Sequence, residues 1–494
     1  MRLLDLVQGI VPEQAALQRL AADLPAGGLA RDSRAVRPGD LFVAVPGVRV
    51  DGATFAAEAE RRGAAAIVAE RPLPGVRTPT LVVPDAALTL GLLADRREGE
   101  PSRSVAVTGV TGTNGKTTTS FLLSWILEAA GRPSSLLGTV CTRVAGRERA
   151  STMTTPDVLE LHRALAETRD AGARDLVMEV SSHALHQRRT AGARFRCAVF
   201  TNLTRDHLDY HGSLEAYGDA KALLFEGLEP DATAVLNQRD AFGQALAART
   251  RARVLRYAWS SGPTLPDADV AARLVSEGLF GTRLELAAGG TVAPLNLPVV
   301  GRFNVENALA AASAALALGV PFDAVRAALE ASQGVPGRLE RVSGARDGEP
   351  TVLVDYAHTP DALERVLETL RPLVAADRRL IVVFGCGGER DAGKRAPMGQ
   401  AVERWADLAL LTNDNPRGEE PAAIVRDVLA GCARPEQLRV VLDREAAIAE
   451  AVAGARPGDL VLIAGKGHEG AQVIGGRALP FDDRLVARRA LAAV

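Results

Sequence analysis

Short runs of aliphatic and β-branched residues recur along the chain. Each breaks into a Gly-rich or polar turn and then an Ala/Leu-rich stretch of helical period. RSVAVTGVTGTNGKTTTSFLLSWILEAAG (103–131) is one such unit, and RDLVMEVSSHAL (174–185) and CAVFTNLTRDHLDYH (197–211) follow it. Later come TVLVDYAHTPDALERVLETLRPL (351–373), RLIVVFGCGGERDAGKR (379–395), LALLTNDNPRG (408–418) and DLVLIAGKGHE (459–469). Unbroken apolar strands alternating with helices predict an α/β fold whose parallel sheets are covered on both faces. In every unit the chemically rich residues come just after the strand, the end where open α/β sheets bind ligands.

Charged, Pro- and Gly-bearing breaks at REGEPSR (97–103) and ASQGVPGRLERV (331–342) divide the pattern. They predict domains of 1–102, 103–334 and 335–494, and a length of 494 residues agrees with more than one core. Hydrophobic content of 47% and charged content of 24% are those of a soluble globular protein. A net charge of −2 offers no surface for nucleic acid or for an acidic membrane. No apolar run reaches membrane-spanning length. MRLLDLVQGI reads as the start of a mature protein without a cleavage site. Cys141, Cys197, Cys386 and Cys432 are far apart and lack metal-ligand spacing, so they read as free thiols of a reducing cytoplasm. A monomer is the default expectation.

Basic residues number 58, yet lysine stands only at Lys116, Lys221, Lys394 and Lys466; arginine supplies the rest. Lys116 ends the loop TGTNGK. The strand, loop and helix around it suit phosphate: backbone N–H groups from Gly112, Thr113, Asn114, Gly115, Lys116, Thr117 and Thr118 would face phosphate oxygens. Lys116 would neutralise the phosphates and Thr117 would ligate Mg²⁺. The pattern G-x-x-x-x-G-K-[ST] is shifted, because Val110 holds its first position and the glycine is Gly109. This loop alone indicates ATP or GTP.

Glu179 ends an apolar strand and His207 lies in a turn after another. A carboxylate, an imidazole and Thr117 could share one magnesium ion; a helix-start acid and a hydrogen-bonded loop histidine explain the same residues. Lys221 sits in EAYGDAKALLFEGL, apolar on more than one side. A desolvated amine loses its proton and becomes nucleophilic. It can then take up CO₂ as a carbamate, an oxygen ligand that no guanidinium can form. In GRFNVENALAA, Asn304 and Asn307 suit an adenine edge or a helix cap equally well.

TGTNGKTT and the stretches after it resemble the Mur ligases, the ATP-dependent amide-forming enzymes of peptidoglycan precursor synthesis. The resemblance runs in order from Asp32 to Glu469. It implies three domains: an N-terminal UDP-sugar-binding domain, a central P-loop-type parallel sheet, and a Rossmann-like C-terminal domain closing over ATP. Glu179, His207 and a carbamylated Lys221 take metal-ligand positions in it. Arg338 points to the phosphates, Asp355 to the ribose, and His358 to an auxiliary catalytic role. LARDSRAVRPGDLFVAVPGVRVDG, otherwise equally a surface loop, resembles the uridine-binding domain of the ligases that add the third peptide residue. There Ser33 matches the uridine contact, and Thr154, Thr155, Ser181, Gln187 and Arg189 match the muramoyl-dipeptide arm.

Arg390, Asp414, Asn415, Pro416, Arg417, Gly465 and Glu469 form three strand-end stretches for the incoming amino acid. Guanidinium groups capture carboxylates and acids hold ammonium groups, so such a set suits meso-diaminopimelate, which has two amino-acid ends. DNPR accompanies that substrate in the family. The implied activity is ATP-dependent joining of meso-diaminopimelate to UDP-MurNAc-L-Ala-D-Glu. L-Lysine as the amino acid, and a non-catalytic sugar-nucleotide-binding protein, are the alternatives. Folate polyglutamylation fits less well, because Thr follows TGTNGKT where those relatives carry Gly-Ser.

Overall fold

The computed structural model describes residues 1–12, 17, 20, 25–47, 50–151, 153–343 and 349–493. The chain forms two compact units. One comprises Met1–Ala258, Asp267–Val270 and Leu309–Ala328; the other comprises Trp259–Pro266, Ala271–Ala308 and Leu329–Val494.

In the first unit, a small parallel sheet orders Leu29–Ala30, Leu41–Val43, Ala66–Ala69 and Thr80–Val82. Its apolar face packs under the helix Ala86–Arg97, through Leu90, Leu93 and Ala94. A larger parallel array orders Arg253–Ser260, Thr233–Asn237, Phe195–Phe200, Ala106–Thr111, Asp175–Glu179 and Ser134–Leu137. Antiparallel strands Cys141–Val144 and Arg147–Ala150 extend its edge. Val107, Leu176, Met178, Ala198 and Phe200 fill one core with Leu161, Leu165 and Phe225 from the covering helices. Each of these side chains other than Ala198 contributes about 1.5–3 kcal/mol on burial.

The order of this array decides where chemistry can occur. Ala106–Thr111 is central, and both neighbours end beside it: Val110 pairs with Glu179, and Thr111 with Phe200. Three strand ends therefore deliver the phosphate-type loop, Glu179 and the Thr201–Asn202 turn to one edge. The helix Leu214–Glu226 starts at Ser213, whose hydroxyl accepts from Ala216 N at 3.2 Å, and it carries Lys221 inward.

The second unit contains the antiparallel pair Gly281–Ala288 and Thr291–Leu297. Its main sheet orders Glu340–Arg341, Thr351–Asp355, Leu460–Ala464, Leu380–Phe384, Leu408–Leu411 and Leu438–Val440. All but the first strand run parallel. Both faces are apolar: Leu353, Val382 and Leu462 pack on one side, Val354, Val383 and Ile463 on the other. This is the two-sided burial that the unbroken strands predict. No helix among the described residues is long and apolar enough to cross a membrane.

Candidate active site

The phosphate-type loop is held from behind. Thr113 N donates to Asn202 O at 2.8 Å and Asn114 N to Asn202 Oδ1 at 3.0 Å. Thr201 Oγ1 donates to Asn114 O at 2.6 Å, and Thr204 N to Thr113 Oγ1 at 2.9 Å. Gly112 has φ 145°, and a Cβ there would collide with Thr201 Oγ1, so only glycine fits. Gly115, at φ 86°, leads into the helix Lys116–Ala129. Lys116 Nζ donates to Gly112 O and Thr113 O, each at 2.8 Å.

Glu179 is buried and accepts from Thr117 Oγ1 at 3.0 Å, Thr139 N at 2.7 Å and Thr139 Oγ1 at 3.1 Å. Among the described residues no ion pair reaches it. A buried carboxylate with hydroxyl neighbours and no protein cation suits a hard divalent ion. No three His, Cys, Asp or Glu side chains among the described residues are grouped as a ready metal cage. Mg²⁺ commonly completes its shell with water and substrate phosphate, so Thr117 and Glu179 fit such a site.

Lys221 is 1% exposed and donates to the same Gly112 carbonyl, at 2.8 Å. Its ammonium lies 4.2 Å from the Tyr217 ring centre. Burial, and then the charge of Lys116, hold its pKa well below the ordinary lysine value. His207, at φ 51°, opens the short helix Leu208–His211. Its ring is half-exposed, 4.8 Å from His183 and 6.0 Å from Tyr217. Lys116, Thr117, Glu179 and Lys221 thus converge on one loop, and His207 stands beyond Tyr217 in a histidine–tyrosine cluster. Burial, and then the neighbouring histidines, push His183 down to about 4.

The residues expected on the sugar-nucleotide arm form a second set. Thr155 Oγ1 donates to Glu179 O at 2.9 Å and accepts from Ser181 N at 3.0 Å. Ser181 caps the helix Ser182–His186 through Ala184 N. Arg189 donates twice to Gln187 Oε1, at 3.0 and 2.6 Å, and Gln187 donates to Tyr210 OH at 3.1 Å. Thr154 Oγ1 lies 3.1 Å from Thr139 Oγ1. Burial, and then the charge of Arg31, lower the Arg189 pKa. Ser33 is buried and donates to Glu58 Oε2 at 2.8 Å.

In the second unit, Asn304 and Asn307 are buried inside the start of the helix Arg302–Ala317. Asn304 Nδ2 donates to Val300 O at 2.8 Å and Asn307 Nδ2 to Asn304 Oδ1 at 3.2 Å. Asp355 is buried, accepting from Leu339 N and Ala357 N at 2.7 and 2.8 Å; burial raises its pKa against the nearby Arg338. The Arg338 guanidinium stacks 4.5 Å over Tyr356. His358 Nδ1 lies 2.8 Å from Tyr356 O, and burial lowers its pKa.

The amino-acid stretches follow three adjacent strands of one sheet. Asn415 Nδ2 donates to Glu469 Oε2 at 3.0 Å. Arg417, at φ 54°, donates to Gly388 O at 2.7 Å, while Arg390 is exposed. Asp414 is buried beside Gly465, and burial raises its pKa against Arg444 and Lys466. Pro416 is buried in the same turn.

Residues 110–315 match the Mur ligase middle domain, 337–467 the Mur ligase glutamate ligase domain, and 27–98 the Mur ligase family catalytic domain. The chain belongs to the Mur ligase family. It is 48% identical over 478 residues to the UDP-N-acetylmuramoyl-L-alanyl-D-glutamate–2,6-diaminopimelate ligase of Xylella fastidiosa, covering 96% of this chain and 95% of that one. The ligase of the same name from Gloeobacter violaceus is 46% identical, with 95% and 94% covered. A solved structure of a ligase of that name superposes with a TM-score of 0.70 at 36% identity, covering 95% of both chains. Mycobacterium tuberculosis folylpolyglutamate synthase, at 21% identity and a TM-score of 0.59 over 77% of this chain and 93% of its own, shares the Mur ligase fold.

Sequence reading missed groups that hold the candidate residues of each unit in shape. Thr139, two residues past a strand, carried no motif, yet it makes two of the three bonds to the Glu179 carboxylate. Asn202 pins the loop through its amide oxygen. Lys466, 0% exposed, bonds Asn415 and Glu469. Its signal was available: it is one of the rare lysines.

Proposed function

We propose that this Mur ligase is the ATP-dependent ligase that joins meso-diaminopimelate to the D-Glu side-chain carboxylate of UDP-MurNAc-L-Ala-D-Glu. The observation that carries the reading is near-half identity, across almost the whole chain, to ligases of that name. In this assignment residues 1–102 take the sugar nucleotide, 103–334 carry the ATPase chemistry and 335–494 take the amino acid. The reaction belongs in the cytoplasm, where ATP and UDP-sugars are held.

The D-Glu carboxylate oxygen attacks the γ-phosphorus of ATP, ADP leaves, and an acyl phosphate forms. The amine of diaminopimelate then attacks the acyl carbon, inorganic phosphate leaves, and the amide remains. Loop N–H groups and Lys116 oppose the charge that builds on the transferring phosphoryl oxygens. Thr117, Glu179, His207 and Lys221, the last as a carbamate, are assigned to hold Mg²⁺. When bound, that ion supplies further charge neutralisation at the phosphates. Thr155, Ser181, Gln187 and Arg189 orient the dipeptide arm. Asn304, Asn307, Arg338 and Asp355 are assigned to ATP and His358 to an auxiliary role. Arg390, Asp414, Asn415, Arg417 and Glu469 are assigned to the two ends of diaminopimelate. A bidentate guanidinium suits its distal carboxylate, which L-lysine lacks.

The test is ADP release from ATP and UDP-MurNAc-L-Ala-D-Glu, run in parallel with meso-diaminopimelate and L-lysine. Turnover with the first alone is expected. Turnover with lysine alone reassigns the amino acid, and no ADP with either removes the enzymatic reading.

A further inference from the structure

Beyond the residues assigned above, the strand-end turns of the second unit contain a buried cation that no substrate-binding role explains. Lys466 is completely buried, where an ammonium group is costly unless it is fully paired. Its Nζ donates to Glu469 Oε2 at 2.8 Å and to Asn415 Oδ1 at 3.0 Å, and lies 3.9 Å from Asp414 Oδ1. All three partners belong to the amino-acid stretches. The Asn415 amide bridges the same groups. Its oxygen accepts from Lys466 and from Val473 N at 2.9 Å, and its nitrogen donates to Glu469 Oε2. Two donors on one oxygen fix which way that amide points. Both bonds to Glu469 end on Oε2. Among the described residues none ends on Oε1, which leaves that oxygen to receive a ligand.

We propose that Lys466 is a positioning residue for the incoming amino acid: it locks the Glu469 carboxylate and the Asn415 amide in the arrangement that receives the substrate's ammonium group. The inference rests on the reading of these strand-end turns as the diaminopimelate site. Burial pushes the Glu469 carboxyl upward, but the Lys466 bond and charge outweigh it, so Glu469 stays below the ordinary carboxylate range and keeps its charge. Arginine is not equivalent: its guanidinium spreads donors over a planar fork, whereas Glu469, Asn415 and Asp414 converge on one nitrogen.

The experiment uses the full chain and varies one substrate at a time in the ADP-release assay. Lys466→Met should raise KM for meso-diaminopimelate about tenfold or more. Its kcat, and KM for ATP and for UDP-MurNAc-L-Ala-D-Glu, should stay within about twofold. Lys466→Gln, which keeps a donor, should fall between. In a Glu469→Gln background, Lys466→Met should add little, because the group it orients is already changed. Equal changes in all three KM values, additive effects in the double variant, or an unchanged diaminopimelate KM each overturn the proposal. If neither lysine variant folds, Lys466 is a core residue and the proposal also falls. A wild-type enzyme that ignores diaminopimelate overturns the pocket reading itself, a result distinct from a working enzyme indifferent to Lys466→Met.

Discussion

Thr139→Val removes one hydroxyl and keeps nearly the same shape. Glu179 loses the 3.1 Å bond from Thr139 Oγ1 but keeps Thr139 N at 2.7 Å and Thr117 Oγ1 at 3.0 Å. The hydroxyl has one proton and two candidate acceptors, Glu179 Oε2 and Thr154 Oγ1, both at 3.1 Å. The charged acceptor wins. Hydrogen bonds to charged groups contribute about 1.5–3 kcal/mol, and the longest of three belongs at the low end, about 1.5 kcal/mol. That corresponds to about tenfold in an equilibrium or a rate. The loss should fall on the carboxylate's placement. The half-saturating Mg²⁺ concentration for ADP release should therefore rise about tenfold, with the thermal midpoint little changed. Thr139→Ser should restore it. An unchanged Mg²⁺ titration, or a loss that Ser does not repair, refutes the idea that Thr139 orients Glu179 for a cation.

Lys221→Arg keeps the charge but cannot form a carbamate; ADP release should drop at least about a hundredfold, and a carbamate carbonyl signal from ¹³C-bicarbonate, measured by NMR, should appear in wild type only. The Arg444–Asp483 pair is wholly buried, at 2.7 and 2.8 Å; Asp483→Asn strands most of that charge and should cost about 3 kcal/mol in urea unfolding, whereas Arg444→Met with Asp483→Leu should be close to neutral. Burial, then Arg338, pushes His468 down to about 4 from 6.5. The neutral ring is therefore favoured in the folded chain, and its stabilisation is complete above pH 6.5 and lost as pH falls toward 4; His468→Gln should flatten that part of the urea-midpoint curve.

The sheets and the strand-end position of the chemistry were legible because unbroken apolar strands leave one arrangement, parallel and covered. Glu179 was visible for the same reason: it is the polar residue that ends DLVME. Sequence spacing could not show that Ala106–Thr111 lies between Asp175–Glu179 and Phe195–Phe200, since strand order is a property of crossovers. Once that order is known, Thr117 beside Glu179 follows. Thr139 stayed hidden because its partner is 40 residues away and its role is carried by one backbone N–H and one hydroxyl. Asn304 and Asn307 fitted either adenine or a cap; in the structure Asn304 donates to Val300 O just ahead of the helix, and Asn307 to Asn304 Oδ1.

The scarcity of lysine carried more than any short motif. Each lysine reaches a loop after a strand: Lys116 and Lys221 share Gly112 O, Lys394 donates to His358 O at 2.8 Å, and Lys466 holds Asn415 and Glu469. A composition that turns nearly every other cation into arginine spares positions where a guanidinium fails. Arginine presents a planar fork of donors that needs room. An ammonium puts three donors on one atom and can crowd onto a single carbonyl, as Lys116 and Lys221 do. Burial first, and then the neighbouring charge of Lys116, destabilise the Lys221 proton. Burial at position 221 therefore prepares a neutral amine, a state that a guanidinium does not reach. Substituting a guanidinium at each of the four positions should be far more damaging than Arg→Lys at surface sites, whereas charge conservation alone would make the two equally mild.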